Sequence, residues 1–122
     1  MHKDQRLTKA KDFAAARREG ESWSDNLLVL IARQNGLDVA RFGFSVGKRV
    51  GNAVVRNKVR RRGREAARLT PVRSGWDLVF VARRGAASAD FHQLRRSLTA
   101  LLRRSGLLAD DPPGLVSPPG DD

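Results

Sequence analysis

Nine cations stand between Lys48 and Arg68 (Lys48, Arg49, Arg56, Lys58, Arg60, Arg61, Arg62, Arg64 and Arg68), with Glu65 as the one acid among them. No other stretch restricts the fold so strongly. Asn52 is suited to cap a helix that reaches about Leu69 and that Pro71 ends. At about 100° per residue, Val55, Val59, Ala66 and Leu69 share one stripe, while Arg60, Arg64, Asn57, Arg68 and Arg61 fan across the opposite face. Such a helix cannot be buried all round. It must lie at the surface with its thin apolar stripe against a sheet.

The outward face then needs its own explanation. A solvated helix face ordinarily mixes signs and gains from pairs four residues apart, yet here only Arg61 with Glu65 offers one. Arg56–Arg60, Arg60–Arg64 and Arg64–Arg68 repel, each at a cost of about a few tenths of a kcal/mol. Unpaired charge of one sign makes sense mainly beside phosphates. The preceding loop, Gly47-Lys48-Arg49-Val50-Gly51, adds two glycines that let backbone approach a ligand, and the helix start at Asn52 turns unpaired N–H groups outward. Next to nine cations, the loop reads as a phosphate cradle.

The rest of the 122-residue chain agrees, with a formal net charge of +11. All 24 Lys and Arg residues fall between Lys3 and Arg104, whereas Asp110, Asp111, Asp121 and Asp122 cluster at the end. Residues 1–109 therefore carry 24 cations against nine acids, or +15, and gain most from a polyanion. The absence of cysteine excludes disulfides, thiolate metal sites and Cys nucleophiles. His2 and His92 are isolated and the carboxylates scattered, so no catalytic side chain and no protein-held metal is expected. The segment Met1–Arg6 leads into no apolar signal region. The longest apolar run, Leu27 to Ala32, is far shorter than the roughly 20 residues of a membrane helix. A soluble, cytoplasmic protein without membrane contact is the expectation.

Along the chain, Thr8 is placed to cap a short helix from Lys9 to Glu19 that Gly20 stops. Glu21 to Ser24 suits a short edge strand, and Leu27 to Arg33 a longer one. Asn35-Gly36 marks a turn, with Val39 to Val46 expected as the hairpin partner. Trp76 to Ala82 has the length and β-branched content of a buried strand. Ser88 or Asp90 opens a last helix with Phe91, Leu94, Leu98, Leu101 and Leu102 at helical spacing, closed by Gly106. The order, helix, two or three strands, helix, strand, helix, predicts an α+β domain with helices on a small sheet. That domain is expected to span residues 1–109, and the Asp-, Pro- and Gly-rich stretch 110–122 to be a disordered acidic tail.

The block Phe44-Ser45-Val46-Gly47-Lys48-Arg49-Val50-Gly51-Asn52-Ala53-Val54-Val55-Arg56-Asn57-Lys58-Val59-Arg60-Arg61 closely resembles the signature of the bacterial ribonuclease P protein component. Arg6-Leu7-Thr8-Lys9-Ala10-Lys11-Asp12-Phe13 is similar to that family's opening segment. The resemblance spans about residues 6–105. It implies a four-stranded mixed sheet in the order α-β-β-β-α-β-α, with a left-handed β-α-β crossover against the usual rule. It also implies a ribonucleoprotein endonuclease in which the catalytic RNA and the Mg²⁺ it binds carry the chemistry. The protein would bind that RNA and the 5′ leader of precursor tRNA, with no obligate protein partner.

Carried over by position, the resemblance assigns Lys48, Arg49, Asn52, Arg56, Asn57, Lys58, Arg60, Arg61 and Arg64 to the catalytic RNA. It assigns Phe13 to the leader cleft, where an aromatic face suits stacking on unpaired bases. On residue type alone, an aromatic in a short amphipathic helix is more often core, and only the resemblance favours the cleft for Phe13. Many members carry an aromatic one turn after it; Arg17 stands there in this chain, which shifts leader contact toward charge. Gly63 replaces a large apolar residue of the family, at a cost of roughly 1 kcal/mol of helix propensity and a lost core contact, so a looser helix is expected. Without the resemblance, a ribosome-associated RNA-binding module and a duplex-DNA binder stay open. The DNA reading is weakened by the lack of a dimer seam.

Overall fold

A computed structural model of the protein describes residues 6–109; the expected tail, 110–122, lies outside the described residues. The elements are α1 (Ala10–Glu19), β1 (Glu21–Ser24), β2 (Leu28–Gln34), β3 (Arg41–Ser45), α2 (Ala53–Arg68), β4 (Trp76–Ala82) and α3 (Phe91–Ser105), with a short 3-10 turn at Arg84–Ser88. Four strands form one mixed sheet in the order β1-β2-β4-β3, antiparallel except for the parallel pair β3 and β4. That pair is joined through α2 in a β-α-β unit. α1 packs on one face of the sheet, and α2 and α3 pack side by side on the other.

The strands explain the layering. In β2, Leu28, Leu30 and Ala32 turn toward α2 and α3, while Val29, Ile31 and Arg33 turn the other way. β4 is one of the two inner strands and is buried on both faces through Leu78, Val79 and Phe80, which is why it reads as one continuous apolar run rather than an alternation. Phe42 and Phe44 of β3 stack on Phe80 at ring-centroid distances of 6.5 and 5.4 Å. The smaller core under α1 is Leu7, Ala16 and Val79, with Phe13, Ile31 and Val81 at its margin.

The expected hairpin between β2 and β3 is not formed. The turn itself is there, with Gly36 at φ 71° and Asn35 accepting from Leu37 N at 2.8 Å. But β4 lies between the two strands. In a β2–β3 hairpin Arg33 and Arg41 would have no acid between them, and like charges on facing strands are destabilising. In the observed register both arginines flank Asp77. Asp77 is fully buried, and Arg41 grips it with Nε–Oδ1 and Nη2–Oδ2 bonds of 2.8 Å each. Asn35 Nδ2 donates to the same carboxylate at 3.0 Å. The turn residue therefore serves the inserted strand rather than a hairpin.

Three local expectations also change. Thr8 does not cap α1; Lys9 holds the cap position without a side-chain bond, because the segment before it follows the free edge of β3, where Leu7 N donates to Phe42 O at 2.7 Å. The buried stripe of α2 is Val59, Gly63, Ala66 and Ala67, and Leu69 is 40% exposed past the helix end. Glu65 pairs with Arg68, not Arg61. The last helix opens at Asp90, where a reciprocal capping box with Gln93 satisfies two backbone N–H groups, and closes at Gly106 with φ 79°.

Gly63 lies on the buried stripe of α2. A Cβ there would lie 2.6 Å from Cε1 of Phe44, so the ring of β3 fills the space that a larger side chain on α2 would take.

Candidate nucleic-acid interface

The basic helix begins from a well-made cap. Asn52 Oδ1 accepts from Val55 N at 3.0 Å, so this oxygen is engaged within the protein. Lys48 and Arg49 lie exposed in the turn that Val50 N closes onto Gly47 O at 3.1 Å. Gly47 has open space around it, as a backbone approach requires. Gly51 does not: a Cβ there would lie 2.8 Å from Val55 Cγ1, so packing of the first helical turn accounts for it.

The α2 cations divide by what they touch. Arg62 reaches across to Ala89 O at 2.8 Å and ties α2 to the approach of α3. Arg68 is paired with Glu65, and Arg60 donates to Asn57 Oδ1 at 2.8 Å. Lys48, Arg49, Arg56, Lys58, Arg61 and Arg64 make no side-chain hydrogen bond or ion pair among the described residues, and the Nε of Arg56 is buried without a partner. The two cations outside the RNA-facing set expected from the sequence, Arg62 and Arg68, are thus both engaged within the fold.

Arg6 joins this face, and the sequence reading did not include it. With Asn57, Arg60, Arg61, Arg64, Arg68 and one acid, Glu65, which Arg68 pairs, it lines an open trough of about 660 Å³. Partial burial, then the nearby charges of Arg6 and Arg60, push the Arg64 guanidinium below its ordinary pKa. Like charges are held together here. The signal available in the sequence was a cation ahead of α1, but only the β3 edge pairing brings it beside α2.

A second cleft of about 300 Å³ opens from the same arginines. Arg6, Arg60 and Arg64 line it together with Leu7, Thr8, Phe13, Phe42, Gly43 and Phe44. Phe13 is half-buried, its ring lying over Gly43; a Cβ there would sit 2.6 Å from its Cζ. Both readings of Phe13 therefore hold in part: it packs on the sheet and it faces a cleft. Arg17, one turn on, donates to Ser45 Oγ at 3.0 Å and lines neither cavity. Lys48, Arg49, Arg56 and Lys58 also lie outside both cavities.

Among the described residues no three His, Cys, Asp or Glu side chains gather as a metal site would require, and no helix is long and apolar enough to cross a membrane. Fold and site together define a small α+β protein that gathers like-signed charge on one helix beside an aromatic cleft.

The comparisons carry that class to a family. The family model described as Ribonuclease P matches residues 1–106. A "Ribonuclease P protein component" from Roseiflexus castenholzii is 42% identical over 111 residues, covering 88% of this chain and 91% of that one. Among solved structures, a Staphylococcus aureus RNase P protein mutant with defective mRNA degradation activity superposes with a TM-score of 0.80 at 30% identity, covering 87% of this chain and 92% of its own. The RNase P protein from Thermotoga maritima gives 0.72 at 34%, covering 81% and 96%. The chain belongs to the ribonuclease P protein family, and its three helices on a four-stranded mixed sheet match those structures.

Proposed function

We propose that this protein is the protein subunit of a ribonuclease P ribonucleoprotein, which removes the 5′ leader of precursor tRNA in the cytoplasm. The observation that carries the reading is the run of unpaired cations on α2 that continues, through Arg60, Arg64 and Arg6, into a cleft lined by aromatic rings. Lys48, Arg49, Arg56, Lys58, Arg60, Arg61 and Arg64 contact the phosphates of the catalytic RNA. Asn57 adds amide hydrogen bonds there, and Asn52 holds the helix start toward it. Phosphate contacts of this kind fix register and orientation and are strongly salt-dependent.

The single-stranded leader passes Phe13, whose half-buried ring lines the cleft and meets an unpaired base regardless of its identity. Arg17 is held by Ser45 outside that cleft, so it adds charge beside the leader's path rather than a second stacking position. The carboxylates do not fit a role as ligands of catalytic Mg²⁺: no suitable group forms among the described residues, and Asp77 is engaged by Arg41. The metal chemistry falls to ions bound mainly by the RNA, while this chain positions substrate and neutralises charge.

The test is precursor-tRNA cleavage by the catalytic RNA at low Mg²⁺, with and without the protein. Stimulation with correct 5′ ends is expected, and no cleavage by the protein alone. Tight RNA binding without stimulation would reduce the reading to a generic RNA-binding module.

A further inference from the structure

The outer face of α3 carries a second basic surface, separate from the α2 face. His92, Arg95, Arg96, Thr99, Ala100 and Arg103 recur at helical spacing and line an open trough of about 580 Å³ along the helix. Thr99 and Ala100 form a shallow floor, and the long cationic side chains form the walls. α3 contains no acid from Phe91 to Ser105. Arg95 is anchored, donating to Leu69 O at 3.2 Å beyond the end of α2. Arg96 and Arg103 make no hydrogen bond or ion pair among the described residues, in contrast to Arg83 and Arg104, which are tied to Asp25 O and Ser24 O.

We propose that this trough is a second contact for the phosphate backbone of structured RNA, distinct from the α2 interface and indifferent to sequence. The chemistry excludes the other partners a basic face could take. A protein partner needs an apolar or aromatic anchor at the centre of the patch; the trough is lined by no large apolar residue, and exposed Leu69 lies only at its margin, where Arg95 reaches it. A membrane surface needs an apolar face to insert, and the apolar face of α3 (Leu94, Leu98, Leu101 and Leu102) is buried against the sheet and α2. What is left is unpaired guanidinium beside a small-residue floor that a ribose-phosphate chain can approach. α2 and α3 lie side by side, so one RNA can engage both faces through separate segments. Naming that RNA as the catalytic RNA rests on the function proposed above.

The chain's lack of cysteine makes the test direct. Full-length T99C and K58C proteins, each labelled with iron-EDTA at its single thiol, are assembled with the catalytic RNA, and hydroxyl-radical cuts are mapped. Discrete cuts from position 99, at nucleotides other than those cut from position 58, are expected. Separately, R96Q/R103Q should lower the salt slope of RNA binding by about 1.5, the sum for two phosphate contacts, with an unchanged melting curve. Cuts from position 58 alone, or an unchanged slope in R96Q/R103Q, would overturn the trough and leave the proposed function standing. Cuts from neither position would overturn both.

Discussion

Arg41 on β3 and Arg64 on α2 lie on opposite faces of the sheet, and their surroundings are opposite in sign. Arg41 grips the buried Asp77 with two bonds and lies 3.7 Å from Asp12 of α1; the hydrogen bond to Asp77 raises its pKa above the ordinary value. Arg64 has no partner among the described residues, and partial burial with Arg6 and Arg60 nearby lowers its pKa. One guanidinium is satisfied by the fold. The other is held by the fold beside two further guanidinium groups, without an ion pair among the described residues. The same residue type thus serves architecture at Arg41 and, in the proposed function, recognition at Arg64.

The largest effect is expected from breaking the satisfied half. Arg41→Ala leaves the Asp77 carboxylate buried, with Asn35 as its remaining close donor and Arg33 at 3.8 Å. Losing one partner of a buried pair costs about 3–5 kcal/mol, measurable by urea unfolding. If the variant loses less than about 1 kcal/mol, the pair is not what fixes Asp77 between two arginines, and the account of the strand order fails with it.

The core beneath Arg64 offers a second, smaller break. Gly63→Ala gains about 1 kcal/mol of helix propensity, but its methyl would meet the Phe44 ring, and overpacking a tight core costs about 1–3 kcal/mol. A net loss of about 1 kcal/mol is expected. In a Phe44→Leu background, which opens room at that position, the same substitution should become stabilising. A double-mutant cycle with no coupling would show that the ring does not fill the glycine's place.

How far the sequence could be read follows the same division. Elements fixed by local chemistry were legible: the Asn52 cap, the continuous apolar run of β4, Asp90 and Gly106 at the ends of α3. The α2 face was legible too, because helical spacing alone sorts its cations. Strand order was not, since it depends on Asp77 pairing with arginines 36 and 44 positions away in sequence. Arg6 was missed for the same reason. Its place beside Arg64 comes from a backbone bridge to Phe42, which no periodicity encodes. Gly63 looked like a defect because its compensating ring sits on another element.

The smallest stability effect is expected where the functional effect is clearest. Arg64→Gln removes a cation that no acid supports, so unfolding free energy should change by no more than about 0.5 kcal/mol. The direction should be toward greater stability, because repulsion with Arg6 and Arg60 is relieved. Binding to the catalytic RNA should nevertheless weaken, with the salt slope falling by about 0.7–0.9 for one lost phosphate contact. The two measurements together decide the point. A stability loss above about 1 kcal/mol would place Arg64 with Arg41 among the arginines the fold needs. An unchanged slope at unchanged stability would turn its side chain away from RNA and leave Arg60 and Arg6 to carry the mouth of the cleft.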